Sequence, residues 1–278
     1  MRDSGSSDLA SALDNTDVAI EILSTYVFHR QEVREALDRG IRYACYPQLS
    51  AAYSAEAVVD EAAYEDQLAV DRAVASALDG ASRVSVTSRC GTDVQLELRG
   101  TPIDIACRRA NAQGAITYLA GQVSLYPRRD TLSGRVIGDG VLQHVARDGT
   151  PVSLKIEAGR VVEIEGGTSA GVLRDWRTAH GDPDVFAASR LSLGLNPCVA
   201  EASGLVTTGH EGAFVLGLGS QPPGLGIFGA SRVRTAIHTD LISTRITLKT
   251  ESAVPIDDGR VQVRAAPSST AEGAVADE

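Results

Sequence analysis

The stretch RVSVTSRCGTDVQLELRGTPIDIAC, residues 83–107, decides the fold. Apolar and polar residues alternate through RVSVTS and DVQLELRG, the period of two that belongs to strands with one buried face. TPIDIAC continues as a third short strand.

Downstream the same period recurs. PVSLKIE (151–157) and RVVEIEGG (160–167) flank Ala158-Gly159, a hairpin signal. RLSLGLNP, GAFVLGLGS, HTDLISTRITLKT and RVQVRA follow as further strands, with one predicted helix near Ala170–Ala179. Upstream the pattern differs. HRQEVREALDRG reads as a helix with Gly40 past its end, and IRYACYPQL as a strand stopped by Pro47. With the apolar Val18–Val27 stretch this is a strand–helix–strand unit of the kind that builds parallel sheet. YEDQLAVDRAVASALDGAS has helical apolar spacing up to Gly80. The reading is an α+β fold: a small α/β segment over 1–81, a strand-rich, mostly antiparallel domain over 82–266, and a small, polar tail over 267–278 expected to be disordered.

Composition narrows the function. With 26 Lys+Arg against 36 Asp+Glu the net charge is -10, which disfavours nucleic acid as a partner. Aromatics at 4% disfavour a base-stacking platform. No apolar run reaches the ~18 residues of a membrane span, and the start MRDSGSSDLASALDNTDVAI lacks a signal-peptide pattern, so a cytoplasmic protein is expected. Cys45, Cys90, Cys107 and Cys198 show no zinc spacing and read as free thiols.

His238-Thr239-Asp240 is the sharpest local feature. In a strand, residues i and i+2 share a face, so an imidazole and a carboxylate project together about 7 Å apart along the chain. That pair suits a divalent metal, and a solvated His and Asp on an open face is the plainer alternative. His210-Glu211 offers a second histidine, so His210, His238 and Asp240 form a candidate two-His-one-carboxylate set. His29, His144 and His180 read as structural or loop residues. The glycine-rich Gly217–Gly229 run lacks the ending of a phosphate loop and reads as an irregular loop bordering a groove.

Several segments, taken in order, resemble the superfamily of thermophilic-type M29 metalloaminopeptidases and 2,5-dihydroxypyridine 5,6-dioxygenases. They are ALDRGIRYACYPQ, the helix before RVSVTSRCGTD, then AGQVSLYP, EAGRVVEIEGG, RLSLGLNP, VLGLGSQ and AIHTDLISTRITL, through roughly residues 35–262. The resemblance implies a shortened relative with a reduced N-terminal region. The family's metal-binding His-x-Asp falls on His238 and Asp240. Other ligand positions fall on Gln122, Arg190 and Val215, with a family tyrosine near Pro222. Gln is a weak ligand, Arg a fixed cation and Val no ligand, so a two-metal peptidase is disfavoured. Arg190 is expected to pair with Asp240.

The leading expectation is a non-catalytic, peptide-binding pseudoenzyme without metal or cofactor, presenting a precursor in a peptide-modifying biosynthetic pathway. Its ligand groove would use Gln122, Arg190, His210, Glu211, His238 and Asp240. The alternative is a mononuclear non-haem iron enzyme resembling the ring-cleaving dioxygenases, with Fe(II), or Zn, on His210, His238 and Asp240. A hydrolase using Glu163, Glu165 or Glu211 is a third possibility. A homodimer or a hetero-partner is expected to cover the shortened segment.

Overall fold

Alternation in the sequence becomes a sandwich. A computed structural model describes residues 4–22, 27, 30–45, 61–105, 116–117, 121–128, 130–139, 149–199, 209–220, 233, 235 and 237–263. Strands β3 (Arg83–Ser88) and β4 (Asp93–Glu97) pair antiparallel and turn Val84, Val86, Val94 and Leu96 inward. They sit within an eight-stranded sheet ordered β10-β9-β8-β4-β3-β14-β15-β16. Its other strands are β8 (Ser133–Gly138), β9 (Val152–Glu157), β10 (Arg160–Glu165), β14 (Ile246–Thr250), β15 (Ile256–Asp257) and β16 (Arg260–Val261). β9 and β10 form the hairpin, with Ala158 and Gly159 at φ 47° and 71°. That left-handed pair is what the turn requires.

A five-stranded sheet, β13-β12-β11-β7-β5, packs against the first. It comprises β5 (Ile103–Ile105), β7 (Gln122–Leu125), β11 (Ala188–Gly194), β12 (Phe214–Gly219) and β13 (His238–Ser243). Leu191, Leu193, Phe214, Leu216 and Leu241 enter the shared core with β3, β4 and β9 residues. Each such fully buried large side chain contributes roughly 1.5–3 kcal/mol relative to an exposed one. Helix Thr168–Ala179 lies on β9 and β10, and helix Glu61–Asp79 lies on β5 and β7.

The N-terminal part forms a parallel three-stranded sheet, β1 (Val18–Glu21), β2 (Arg42–Cys45) and β6 (Ile116–Thr117). Helix Gln31–Asp38 connects β1 to β2 and ends before Gly40, whose φ of 95° stops it. Its buried Val33, Ala36 and Leu37 pack with Leu13, Ile41, Tyr43, Cys45 and Tyr126. The molecule is an α+β fold dominated by antiparallel sheet.

Two expectations change. HTDLISTRITLKT is not one strand. Arg245 takes a φ of 50°, and the chain turns from β13 in the five-stranded sheet to β14 in the eight-stranded one. The third strand of the N-terminal sheet comes from residues 116–117, beyond the 1–81 segment. Residues 267–278, His29, His144, Cys107 and Pro222 lie outside the described residues.

Candidate functional site

LSLG in β11 reads as a strand with one wet face, yet both faces are buried. Arg190 and Ser192 point away from the sandwich core and are 4% and 0% exposed. The same outer face carries Ser124 of β7, whose hydroxyl meets that of Ser192 at 2.9 Å. In the next row Arg190 stands opposite Gly217, and Gly217 stands opposite Asp240. Glycine at the middle position leaves the backbone bare. A Cβ there would lie 3.0 Å from His238 Cε1, 3.2 Å from Asp240 Oδ1 and 3.3 Å from Arg190 Cβ. Arg190 therefore reaches over β12, and its Nη2 donates to both Asp240 oxygens at 3.3 Å.

His238 shares this face with Asp240. Its Nδ1 lies 2.7 Å from the Ser220 carbonyl, which can only accept, so Nδ1 carries the proton. That assignment turns the Nε2 lone pair toward Asp240 Oδ1, 3.0 Å away. Two lone-pair groups in contact need a positive charge between or beside them, and the Arg190 guanidinium on the same carboxylate already supplies one; a proton on Nε2 or a metal ion would supply it directly. A ring nitrogen fixed by a carbonyl behind it is the usual posture of a metal-bound histidine. His238 and Asp240 are the two donors the site offers a divalent ion, with the Arg190 guanidinium already on Asp240. Among the described residues no third His, Cys, Asp or Glu completes a cluster with them.

The remaining predicted site residues are elsewhere. Gln122 faces Gly194, four residues along β11 from Arg190, or roughly 13 Å. His210 precedes β12, whose far end, Gly219, is the residue opposite His238. The span Phe214–Gly219 alone separates them by roughly 16 Å. His210 Nδ1 contacts the Val199 carbonyl, and the Glu211 carboxylate accepts from Arg260 Nη1 at 2.7 Å and the Val261 N–H at 3.0 Å. The set His210, His238 and Asp240 is therefore not assembled, because β12 holds its histidines at opposite ends. Nor do Gln122 and Glu211 join Arg190 in one groove. Glu163 and Glu165 lie exposed on β10, with Glu165 paired to Arg135 at 2.8 Å, so the hydrolase set does not converge.

Sequence reading missed a second buried polar group. Glu21, at the end of β1, accepts from Tyr43 Oη at 2.8 Å, from the Val27 N–H at 2.8 Å and from the Cys45 thiol at 3.7 Å. Burial, then the Glu21 charge, pushes the Cys45 thiol and the Tyr43 phenol far up, while Arg190 pulls Cys45 the other way. The available signal was the position of both residues at the carboxyl ends of parallel strands, where α/β sheets bind ligands.

Comparison with known proteins agrees with the fold and corrects one expectation. The family model of 2,5-dihydroxypyridine 5,6-dioxygenase matches residues 4–263. A 2,5-dihydroxypyridine 5,6-dioxygenase of Pseudomonas putida KT2440 is 26% identical over 190 residues, covering 67% of this chain and 52% of that protein. The chain thus spans about half the length of that curated relative. The solved 2,5-dihydroxypyridine dioxygenase from Pseudomonas putida KT2440 superposes with a TM-score of 0.72 at 20% identity, over 93% of this chain and 75% of the other. AmpT from Thermus thermophilus superposes with a TM-score of 0.58 at 14% identity, over 92% and 79%. These structures show a shared fold, including the aminopeptidase side of the resemblance.

The expectation of a chain without cofactor is overturned by the family match. Insertion of dioxygen is chemistry that cofactors supply and side chains do not. The guanidinium itself stays at the site, paired with Asp240. Arg190 is held on Asp240, and its 3.3 Å contacts are long against the roughly 2.7–2.9 Å of a strong charge-assisted bond. Matched from its first helix to its last described strand, the chain belongs to the 2,5-dihydroxypyridine 5,6-dioxygenase family.

Proposed function

We propose that the chain is a dioxygenase-like enzyme acting on a small hydroxylated ring at the Arg190–Asp240–His238 cluster. The observation that supports it is the 3.0 Å contact between His238 Nε2 and Asp240 Oδ1, with Nδ1 committed to the Ser220 carbonyl. His238 and Asp240 would hold ferrous iron, which supplies the dioxygen chemistry when bound. The protein's own contribution is positional. Ser220 fixes the imidazole tautomer, Gly217 admits the side chains from both neighbouring strands, and Arg190 orients Asp240. The buried guanidinium also places a fixed positive charge beside the anionic oxygen of a hydroxylated ring. Anaerobic titration with ferrous iron, followed by oxygen uptake with 2,5-dihydroxypyridine, tests the reading. One iron per chain and ring-dependent uptake are expected, both lost in His238→Ala. A chain that retains no iron and consumes no oxygen would remove it.

A second reading draws on Arg190 alone. A buried guanidinium has the fork geometry that grips a carboxylate, such as a peptide terminus. That supports a peptide-binding protein presenting a precursor in a biosynthetic pathway, as a homodimer or with a hetero-partner. Calorimetry with short peptides should then give binding that Arg190→Met abolishes. Silence with every peptide, together with a monomeric mass, would exclude it.

A further inference from the structure

Gly194 ends β11, and the chain beyond it leaves the five-stranded sheet at the end remote from Arg190. There a cavity of about 410 Å³ opens between helix Glu61–Asp79, the segment Leu195–Cys198 and the outer strand β16. That volume falls within the roughly 300–1,000 Å³ of small-molecule sites. The helix contributes Ala63, Asp66, Gln67 and Val70, whose i, i+3, i+4, i+7 spacing puts them on one face. Leu195 and Pro197 form a second wall, Val261 and Val263 a third, so the body of the cavity is apolar. The walls are tied together. Gln67 Nε2 donates to the Leu195 carbonyl at 3.1 Å and to Asp71 Oδ1 at 2.9 Å, and Asp71 Oδ2 accepts the Gly121 N–H at 2.9 Å. The Leu195 N–H donates in turn to the Gly121 carbonyl at 2.8 Å, and Asn196 Oδ1 holds the Cys198 N–H at 2.9 Å.

The side chains that give this cavity its polarity are acceptors. Both N–H bonds of the Gln67 amide are spent on Asp71 and Leu195, which leaves its oxygen. Asp66 is exposed and has no ion pair among the described residues. The Glu211 side chain is 12% exposed, and its carboxylate takes the Val261 N–H at 3.0 Å and Arg260 Nη1 at 2.7 Å. A carboxylate has about four lone-pair positions, so roughly two remain. Two carboxylates against one guanidinium leave the rim negative, in a chain of net charge -10. We infer that this cavity is a second binding site, for a small aliphatic amine whose ammonium is held by Asp66, Glu211 and the Gln67 oxygen while its apolar chain fills the interior. An ammonium carries three donors and no acceptor, which matches those three groups. A carboxylate or phosphate would meet two like charges and be rejected. Leu195 is five residues along the chain from Arg190, or roughly 16 Å, so this site is separate from the Arg190–Asp240–His238 cluster.

The test uses the full chain and three probes of one chain length: hexylammonium, hexanol and hexanoate. Affinity is measured by calorimetry. Occupancy is read from the rate at which a disulfide reagent labels Cys198, an exposed thiol at the cavity, with the exposed Cys90 as control. Wild type should bind hexylammonium at least tenfold more tightly than hexanol and should not bind hexanoate. The amine should slow Cys198 labelling severalfold and leave Cys90 labelling unchanged. Asp66→Asn, at an exposed helix position, should weaken the amine severalfold at an unchanged melting temperature. Glu211→Gln keeps an oxygen for the Val261 N–H and should weaken it likewise. His238→Ala should leave amine binding intact. No amine binding by the folded chain, equal binding of the three probes, an unprotected Cys198 or unchanged affinity in both folded variants would each overturn the inference. So would loss of amine binding in His238→Ala, which would put the amine at the other site. None of these outcomes bears on the ferrous-iron reading, whose own test is separate.

Discussion

Arg190 and Asp240 sit two strands apart and still form a buried ion pair, because the residue between them is Gly217. Removing one partner of such a pair strands the other charge in a poorly solvated interior. Arg190→Met is therefore expected to destabilise the fold by about 3–5 kcal/mol. Replacing both, as Arg190→Met with Asp240→Leu, should recover most of that loss, because no unpaired charge remains. Denaturant unfolding of the two variants checks this, and equal losses would contradict it.

Tyr43 and Cys45 make stability depend on alkaline pH. Burial and then Glu21 raise both groups in the folded state, so above the ordinary thiol and phenol values of 9.0 and 10.0 the folded chain binds more protons than the unfolded one. Stability contributed by these groups is complete below those values and falls as pH rises beyond them. Between about pH 9 and 11, Tyr43→Phe should flatten the decline in melting temperature relative to wild type.

Exposure and reactivity part company at the cysteines. Cys90 and Cys198 are both exposed, free thiols. Cys90 donates to Asp139 Oδ2 at 3.0 Å, and that hydrogen bond, with some burial, pushes its thiol up to about 11. Since the thiolate is the nucleophile, Cys90 should react more slowly than Cys198 with a disulfide reagent near neutral pH. Asp139→Asn should accelerate Cys90 severalfold, as peptide mapping of the labelled chain would show.

Arg177, in the last turn of helix Thr168–Ala179, is 0% exposed, and its guanidinium has no hydrogen-bond partner among the described residues. Its charge lies over the Phe186 ring at 5.3 Å, and burial lowers it to about 10. A buried cation with only an aromatic face for company costs more than an apolar side chain of similar length. Arg177→Met is expected to raise stability by about 1–2 kcal/mol, read from denaturant midpoints.

Local patterns were legible in the sequence where their cause is local. The alternation in 83–97 gives the β3–β4 pair, and Ala158-Gly159 gives the hairpin turn. The i, i+2 spacing of His238 and Asp240 places them on one face. Positions that depend on which strands become neighbours were not legible. Gln122 and His210 carry suitable chemistry but fall at the other end of the five-stranded sheet, a matter of register and strand direction. Glu21 and Cys45 meet through a parallel pairing across a helix, and no short-range periodicity announces it. The corner at Arg245 was hidden because a φ of 50° is unusual for arginine.

The strand Ile116–Thr117 closes the N-terminal sheet from a distance, after three strands of the sandwich have already passed. During synthesis the early sheet therefore waits, open on one side, until the chain beyond residue 117 has left the ribosome. Neither half should be recoverable as a separate fragment, and a genetic cut near residue 81 would divide a single cooperative unit.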